Sequence, residues 1–207
     1  MVTSPSRLGR RERKKEATRD ALVAAAVALF TERGFDATTV EDIAEVADVS
    51  ARTFHRYFAV KEDVLFADAE SRLARFEEAL AARPVDETVL ESLRNAAYVL
   101  ADWILDHPEL ELARHRLVDS SNVVRAHGLR HTNEWARVVA EHSARRLGLG
   151  AADALPQLLG ACTVAVLRTA GQQWAAHPAT DLARQIDRGF DLIGHLAEAT
   201  TSREHTR

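Results

Sequence analysis

One cysteine, Cys162, stands in 207 residues, which rules out an intrachain disulfide and a four-thiolate zinc site. Cysteine usage therefore gives no sign of an oxidising compartment. No apolar run approaches the roughly 18 residues of a membrane span, and the charged N-terminus lacks the apolar segment of a signal peptide. The expectation is a folded cytoplasmic protein that does not enter a membrane. Alternating apolar and polar residues with β-branched enrichment are missing as well, so no sheet is expected. There is no internal repeat of about 20–50 residues and no low-complexity linker apart from the N-terminal tail. Catalytic signatures are missing too. HExxH and GxSxG do not occur, and Gly148-Leu149-Gly150 meets Asp153 where a dinucleotide-binding loop has its third glycine. The chain offers no catalytic residue, no cofactor site and no enzymatic constellation.

What is present is the composition of a soluble globular chain, 46% hydrophobic and 28% charged, long enough for one or two domains with a real core. The net charge of −4 hides an asymmetry. Residues 1–20 carry seven basic side chains (Arg7, Arg10, Arg11, Arg13, Lys14, Lys15, Arg19) against Glu12, Glu16 and Asp20, so this segment is +4 and the remainder −8. A basic end on an acidic body fits one end meeting a polyanion; a solvated, disordered tag fits the charge equally well.

Apolar periodicity is helical almost throughout. Leu22, Ala25, Ala26, Leu29 and Phe30 mark an amphipathic helix over 10–33, with Gly34 as a left-handed stop. Leu65, Ala69, Leu73, Phe76 and Leu80 mark one long helix over 61–82, ending before Arg83 and Pro84. Further helices are expected over 86–107, 109–125, 127–147, 152–176 and 179–199. The class is all-α, with about nine helices. Short helices precede residue 60 and long ones follow it, which divides the chain into 10–60 and 61–200, between a basic arm at 1–9 and a tail at 201–207, both expected to be disordered.

Residues 38–58, TTVEDIAEVADVSARTFHRYF, carry the strongest signal. Thr39 with Asp42 forms a capping box, and Thr38 with Glu41 offers the same box one residue earlier. A short helix over 40–47 buries Ile43, Ala44 and Ala47. Asp48 sits where a tight turn needs a left-handed residue, which aspartate tolerates better than most. Ser50 is a natural N-cap for a second short helix whose Phe54 and Phe58 face inward. Two short helices on so tight a turn make a helix-turn-helix, a unit that sends its second helix into the major groove. The outer face of that helix carries Ala51, Arg52, Thr53, His55, Arg56 and Tyr57. Arginine pairs bidentately with guanine, threonine meets a thymine methyl or a phosphate, and the small Ala51 permits close approach. Thr39, Tyr57 and Lys61 are placed as phosphate clamps, and Thr38 and Ser50 complete the expected DNA-binding set. On spacing alone, a helical hairpin that only packs, with a polar face that is only wet, stays open.

The stretch 17–65, with ALFTERGFDATTVEDIAEVADVSARTFHRYFAVKEDVL at its centre, closely resembles the DNA-binding domain of the TetR family of bacterial transcriptional regulators. The resemblance rests on Phe30 to Phe35, the paired threonines, Ile43-Ala44, Val49-Ser50, Phe54, Tyr57-Phe58 and Lys61. Asp48 departs from it, standing where glycine is usual and adding a negative charge near DNA; Val60 stands where a small polar residue or cap is usual. The resemblance implies a three-helix DNA-binding domain, a C-terminal antiparallel helical domain enclosing a small-molecule pocket, and a homodimer through the last two helices. The function it implies is a ligand-responsive repressor on a palindromic double-stranded DNA operator, with the helix over 61–82 linking effector to DNA. The alternative is a helical small-molecule binding protein or enzyme on the same fold without operator binding.

The last two helices carry the stripes Leu155, Leu158, Leu159, Cys162, Val166 and Leu182, Ile186, Phe190, Ile193, Ala197, and the additional Leu192 and Leu196 leave apolar surface to bury, against a second copy or in completing the monomer's own core. Effector-binding candidates are Trp103 and Trp135, with Trp174 as a third aromatic, and Arg168, which lies in the apolar run 160–171 and, if buried, needs an anionic partner. Asn122, after the polar cluster 119–121, and Gln172 complete the set. The expected effector is small and hydrophobic or anionic. The second half, RLVDSSN followed by EWARVVAEHSARRLG, resembles actinobacterial TetR-type regulators, some of which sense acyl thioesters or other hydrophobic metabolites. His127 and His131 have metal-ligand spacing but no third ligand, so no metal is expected. Cys162 lies on an apolar stripe without a resolving partner, which argues against a redox sensor.

Overall fold

The computed structural model describes residues 9–106 and 108–204, and within them the side chains of all but 119–120 and 196–204. The expected arm and tail lie outside the described residues, save Gly9 and the last turn of the final helix; so do the side chains of Leu196 and Ala197 and most of the polar cluster 119–121. Among the described residues all regular structure is helical: α1 Arg10–Arg33, α2 Val40–Val46, α3 Ala51–Tyr57, a 3-10 segment Lys61–Phe66, α4 Ala69–Ala81, α5 Val89–Asp106, α6 Pro108–Ser120, α7 Asn122–Leu147, α8 Ala154–Ala176 and α9 Leu182–Glu204. They group into two compact units, residues 1–67 and 68–207.

In the first unit α1 buries Leu22, Ala25, Ala26, Leu29 and Phe30, the stripe read from its periodicity. The helix stops where Gly34 takes φ 84° and gives its N–H to the Phe30 carbonyl at 3.1 Å. A positive φ there suits glycine, which has no Cβ to clash. Phe35, Ile43, Ala44, Phe54, Phe58, Val64 and Leu65 close the core around that stripe. Phe54 is fully buried, a burial worth about 2–3 kcal/mol, and its ring lies 5.6 Å from that of Phe58 one turn on.

The second unit is a layered bundle, α7 packing along α8 and α8 along α9, with α4 and α5 beside them. Its core includes Phe76, Leu93, Trp135, Val139, Trp174, Ile186 and Phe190. Phe76 and Trp135 are stacked, centroids 4.9 Å apart, joining α4 to α7.

Two expected helices are divided differently. The single helix over 61–82 is a 3-10 segment followed by α4. Asp63 starts the segment by accepting the N–H groups of Ala59 and Val60 at 3.0 and 3.1 Å, and the chain begins again at Asp68. Leu65 and Ala69 are buried on either side of the break, so the apolar period continues across it. The helix over 109–125 ends at Ser120, because Ser121 takes an extended conformation and caps α7, its hydroxyl accepting the Val124 N–H at 3.4 Å.

Candidate functional site

The groove-reading unit is built by local chemistry. Thr39 accepts the Asp42 N–H at 3.1 Å, and Asp42 accepts the Thr39 N–H at 2.8 Å, so each satisfies a helix-end donor of the other. The hydroxyl of Thr39 also donates to the Asp42 carboxylate at 2.6 Å, and these bonds hold the Asp42 carboxyl below its ordinary range. After α2 the chain turns in three residues. Asp48 takes φ 53°, and Val49 gives its N–H back to the Ala44 carbonyl at 2.9 Å. Ser50 then caps α3, accepting the Thr53 N–H at 3.1 Å and sharing a 3.0 Å hydrogen bond with the Thr53 hydroxyl.

With Phe54 and Phe58 inside, α3 presents Arg52, His55 and Arg56 exposed and Ala51, Thr53 and Tyr57 half-exposed. The Arg56 guanidinium lies 5.2 Å from the centre of the Tyr57 ring. The helix contains no acidic residue. Thr39 and Ser50 are exposed at the starts of the two short helices, and α1 leads in with exposed Arg10, Arg11, Arg13, Lys14 and Lys15.

Three basic or polar residues of this region have other partners. Thr38, expected at the DNA, is 1% exposed and donates its hydroxyl to the Gly34 carbonyl at 2.8 Å, so it is a residue of the α1–α2 loop. Lys61, expected as a phosphate clamp, donates to the carbonyls of Phe35 and Thr38 at 2.8 and 2.9 Å. Arg19, counted with the basic segment, donates to the Ala67 carbonyl and lies 5.6 Å from the Phe58 ring centre. For Lys61 and Arg19 a carbonyl distant in sequence supplies the partner, and for Thr38 a carbonyl four residues back across the end of α1, so spacing within one helix carries no trace of it.

In the second unit the effector candidates separate. Trp135 is buried against Phe76, with the Arg72 guanidinium 5.8 Å from its ring centre. Trp103 is half-buried with Arg75 at 5.9 Å, and Gln172 is half-buried. Trp174 is ordinary core. Arg168 corrects the sequence reading: it is exposed, because α8 buries the face of Thr163, Val166, Ala170 and Trp174 and turns residue 168 away from it. Asn122 is exposed too, at the first turn of α7, where its side-chain oxygen accepts from Arg125 at 3.4 Å.

A buried ionic cluster went unread in the sequence. Arg72 of α4 and Arg114 of α6 both donate to Glu111, Arg114 also pairs with Asp68, and the His115 ring stands 3.0 Å from the second oxygen of Glu111. Burial alone would raise the Glu111 carboxyl, but the guanidiniums of Arg114 and Arg72 and the bond from His115 hold it well below the carboxylate range. Burial lowers Arg72, and Glu111 and Asp68 more than reverse that. The signal was there: ELARH sets Glu111, Arg114 and His115 on one helical face at i, i+3 and i+4, which is pairing distance.

Between α8 and α9 runs an open groove of about 290 Å³ lined by Cys162, Ala165, Thr169, Gln173, Arg188 and Leu192, among others. Leu158 and Leu192 are 61% and 65% exposed on these helices. Among the described residues no group of three or more His, Cys, Asp or Glu is placed to hold a metal, and no helix is long and apolar enough to cross a membrane. His127 and His131 lie with ring centres 6.1 Å apart, and Arg130 donates to His127.

Residues 22–67 match the bacterial regulatory proteins of the tetR family, and residues 87–197 match the MftR C-terminal domain. The transcriptional regulator TcmR of Streptomyces glaucescens is 33% identical over 87% of this chain and 83% of its own. The regulator MftR of Mycobacterium tuberculosis is 29% identical over 91% of this chain and 94% of its own. Among solved structures, FadR of Thermus thermophilus, a TetR family repressor in complex with lauroyl-CoA, is similar at TM-score 0.60 and 28% identity, over 84% of this chain and 92% of that one. With a capped helix-turn-helix ahead of a helical second unit, and with both parts matched, the chain belongs to the TetR family of bacterial transcriptional regulators and is a DNA-binding regulator.

Proposed function

We propose that the protein is a homodimeric cytoplasmic repressor that sets α3 of each copy in one major groove of a palindromic operator and is released by a small hydrophobic or anionic effector bound in the second unit. The observation that carries the reading is the outer face of α3, where Arg52, His55 and Arg56 are exposed and no acidic residue intervenes. Arg52, Thr53 and Ala51 stand near the helix N-terminus, the part that reads base edges in this motif, while Thr39, Ser50, Tyr57 and Arg56 are disposed for phosphates. The arm at 1–9 and the first turns of α1 add charge to the phosphate contacts. The exposed leucines of α8 and α9 and the groove between them support pairing of two copies through these helices.

The FadR complex with lauroyl-CoA supports an effector with an apolar chain and an anionic head, such as an acyl thioester of coenzyme A. Trp135, Trp103 and Gln172 are the proposed contacts retained from the sequence. The Phe76–Trp135 stack lies beside Arg72, whose charge is already shared with Glu111 and Asp68, so the apolar stack is the stronger support for the chain-binding part of the effector. Coupling to the DNA is carried by α4 and the residues just before it. A tenfold loss of operator affinity needs about 1.4 kcal/mol of preference for the released state.

The test is enrichment of genomic fragments on the purified protein, followed by titration of the enriched duplex at two salt concentrations with and without lauroyl-CoA. The expected result is a palindrome bound tightly and salt-sensitively, and released by the thioester. Equal weak binding to every fragment would overturn the operator reading; tight binding indifferent to the thioester would overturn the effector class alone.

A further inference from the structure

Behind α2 the first unit holds a cation by three partners at once. Lys61 Nζ donates to the Phe35 and Thr38 carbonyls at 2.8 and 2.9 Å and sits 4.2 Å from the centre of the Phe35 ring. An ammonium has three donors, so two are committed and the ring occupies a further side. Both carbonyls belong to the connection from Gly34 to Thr38. The Phe35 ring is itself buried, 5.1 Å from that of Phe30, and the Thr38 hydroxyl closes the loop onto Gly34. Thr38 immediately precedes Thr39, the cap of α2.

We propose that Lys61 is a positioning residue for operator recognition: it fixes the connection that sets the start of α2, and through α2 the placement of α3, instead of neutralising a phosphate. The inference rests on the operator-binding reading above. Its physical basis is the difference between the two kinds of DNA contact. Base-edge contacts by Arg52 and its neighbours require α3 to be held to a fraction of a hydrogen-bond length, whereas attraction to phosphates tolerates displacement. Loosening the loop behind α2 therefore removes selectivity before it removes affinity for DNA in general. The compact ammonium suits two converging carbonyls, which a planar guanidinium matches less well.

The test is Lys61→Met, which keeps the stem over Phe35 and removes every donor. Binding is measured by fluorescence anisotropy to the enriched operator duplex and to a scrambled duplex across a salt series, with circular dichroism melting to establish the folded fraction. The expected result is a fall of about tenfold in the operator-to-scrambled affinity ratio, the order of one lost base-pair contact, with the salt slope unchanged. A slope lowered by about 0.9 per copy, about 1.8 for a dimer, on both duplexes with the ratio preserved would make Lys61 a phosphate clamp and overturn the inference. An equal fall on both duplexes at unchanged slope would reduce Lys61 to a stabiliser of the fold and overturn it too. Should the methionine variant fail to fold, Lys61→Arg carries the same decision: a clamp predicts full selectivity, the positioning role a reduced ratio. A wild-type protein without selectivity would sink the operator reading itself, and this inference with it.

Discussion

Gly160 of α8 and Ala136 of α7 approach so closely that a Cβ placed on Gly160 would stand 2.4 Å from the Ala136 carbonyl oxygen. That oxygen is backbone and cannot rotate away, so α7 and α8 would have to separate. Alanine in a helix interior normally gains about 1 kcal/mol over glycine. Here overpacking, typically costing about 1–3 kcal/mol beyond ordinary repacking, opposes and exceeds that gain. Gly160→Ala is expected to lower stability in urea unfolding despite its better propensity; a stabilised variant would show that the two helices part without cost.

The Glu111 cluster predicts a pH dependence with a definite sign. Its carboxyl is held well below the ordinary value in the folded chain, so on acidification the unfolded chain takes up the proton first. The stability it confers is complete above the ordinary carboxylate range, about pH 4.3, and is lost as pH falls from there through the folded value. Glu111→Gln should flatten the acid side of the stability curve. At neutral pH the same change leaves Arg72 and Arg114 buried beside each other with Asp68 alone, and a loss of about 3–5 kcal/mol is expected. Urea unfolding of both proteins between pH 3 and pH 7 checks the two parts together, and parallel curves would refute the cluster's role in acid sensitivity.

The exposed leucines make the proposed dimer testable without DNA. Leu158 on α8 and Leu192 on α9 are exposed, and Leu192 lines the groove between those helices. If two copies pair through these helices as proposed, a single Leu192→Glu places two charges in the two-fold interface and should convert dimer to monomer in sedimentation equilibrium, with helical content unchanged. Operator affinity would fall with it, because one α3 reads only half a palindrome. A variant that remains dimeric would move the interface away from α9.

How far the sequence carried depended on where each residue's partner lies. Thr39 with Asp42, Asp48 and Ser50 act within three or four residues of themselves, so the helix-turn-helix was legible down to its caps and its one left-handed aspartate. Phe54 and Phe58 were legible as core for the same reason. Lys61 and Arg19 were not, because their partners are the distant carbonyls of Phe35 and Thr38 and of Ala67, set by how the helices meet; Thr38 bonds only four residues back, to Gly34, but across the end of α1 where no helical spacing applies. The break at Asp68 was hidden because a change from 3-10 to α leaves Leu65 and Ala69 both buried. Arg168 could have been placed correctly. Two residues beyond Val166 it lies roughly 200° round the helix from that buried side chain, on the outer face.

That contrast between two arginines supplies the sharpest test of the recognition face. Arg52 and Arg168 are both exposed, one on α3 and one on α8. If exposure were all that mattered, alanine at either site would be silent. Arg168→Ala is expected to be so for folding, within about 0.5 kcal/mol, since no buried partner is left behind. Arg52→Ala is also expected to leave stability alone, but a bidentate contact to a guanine is worth about 1–3 kcal/mol of discrimination. Operator affinity should therefore drop by about one to two orders of magnitude, while binding to scrambled DNA falls only slightly and the oligomeric state is unchanged. Anisotropy titrations of the two variants side by side decide it. An Arg52→Ala protein that binds the operator like the parent would remove this residue from base reading and shift recognition toward His55 and Arg56, the other exposed cationic or ring-bearing groups on the same helix.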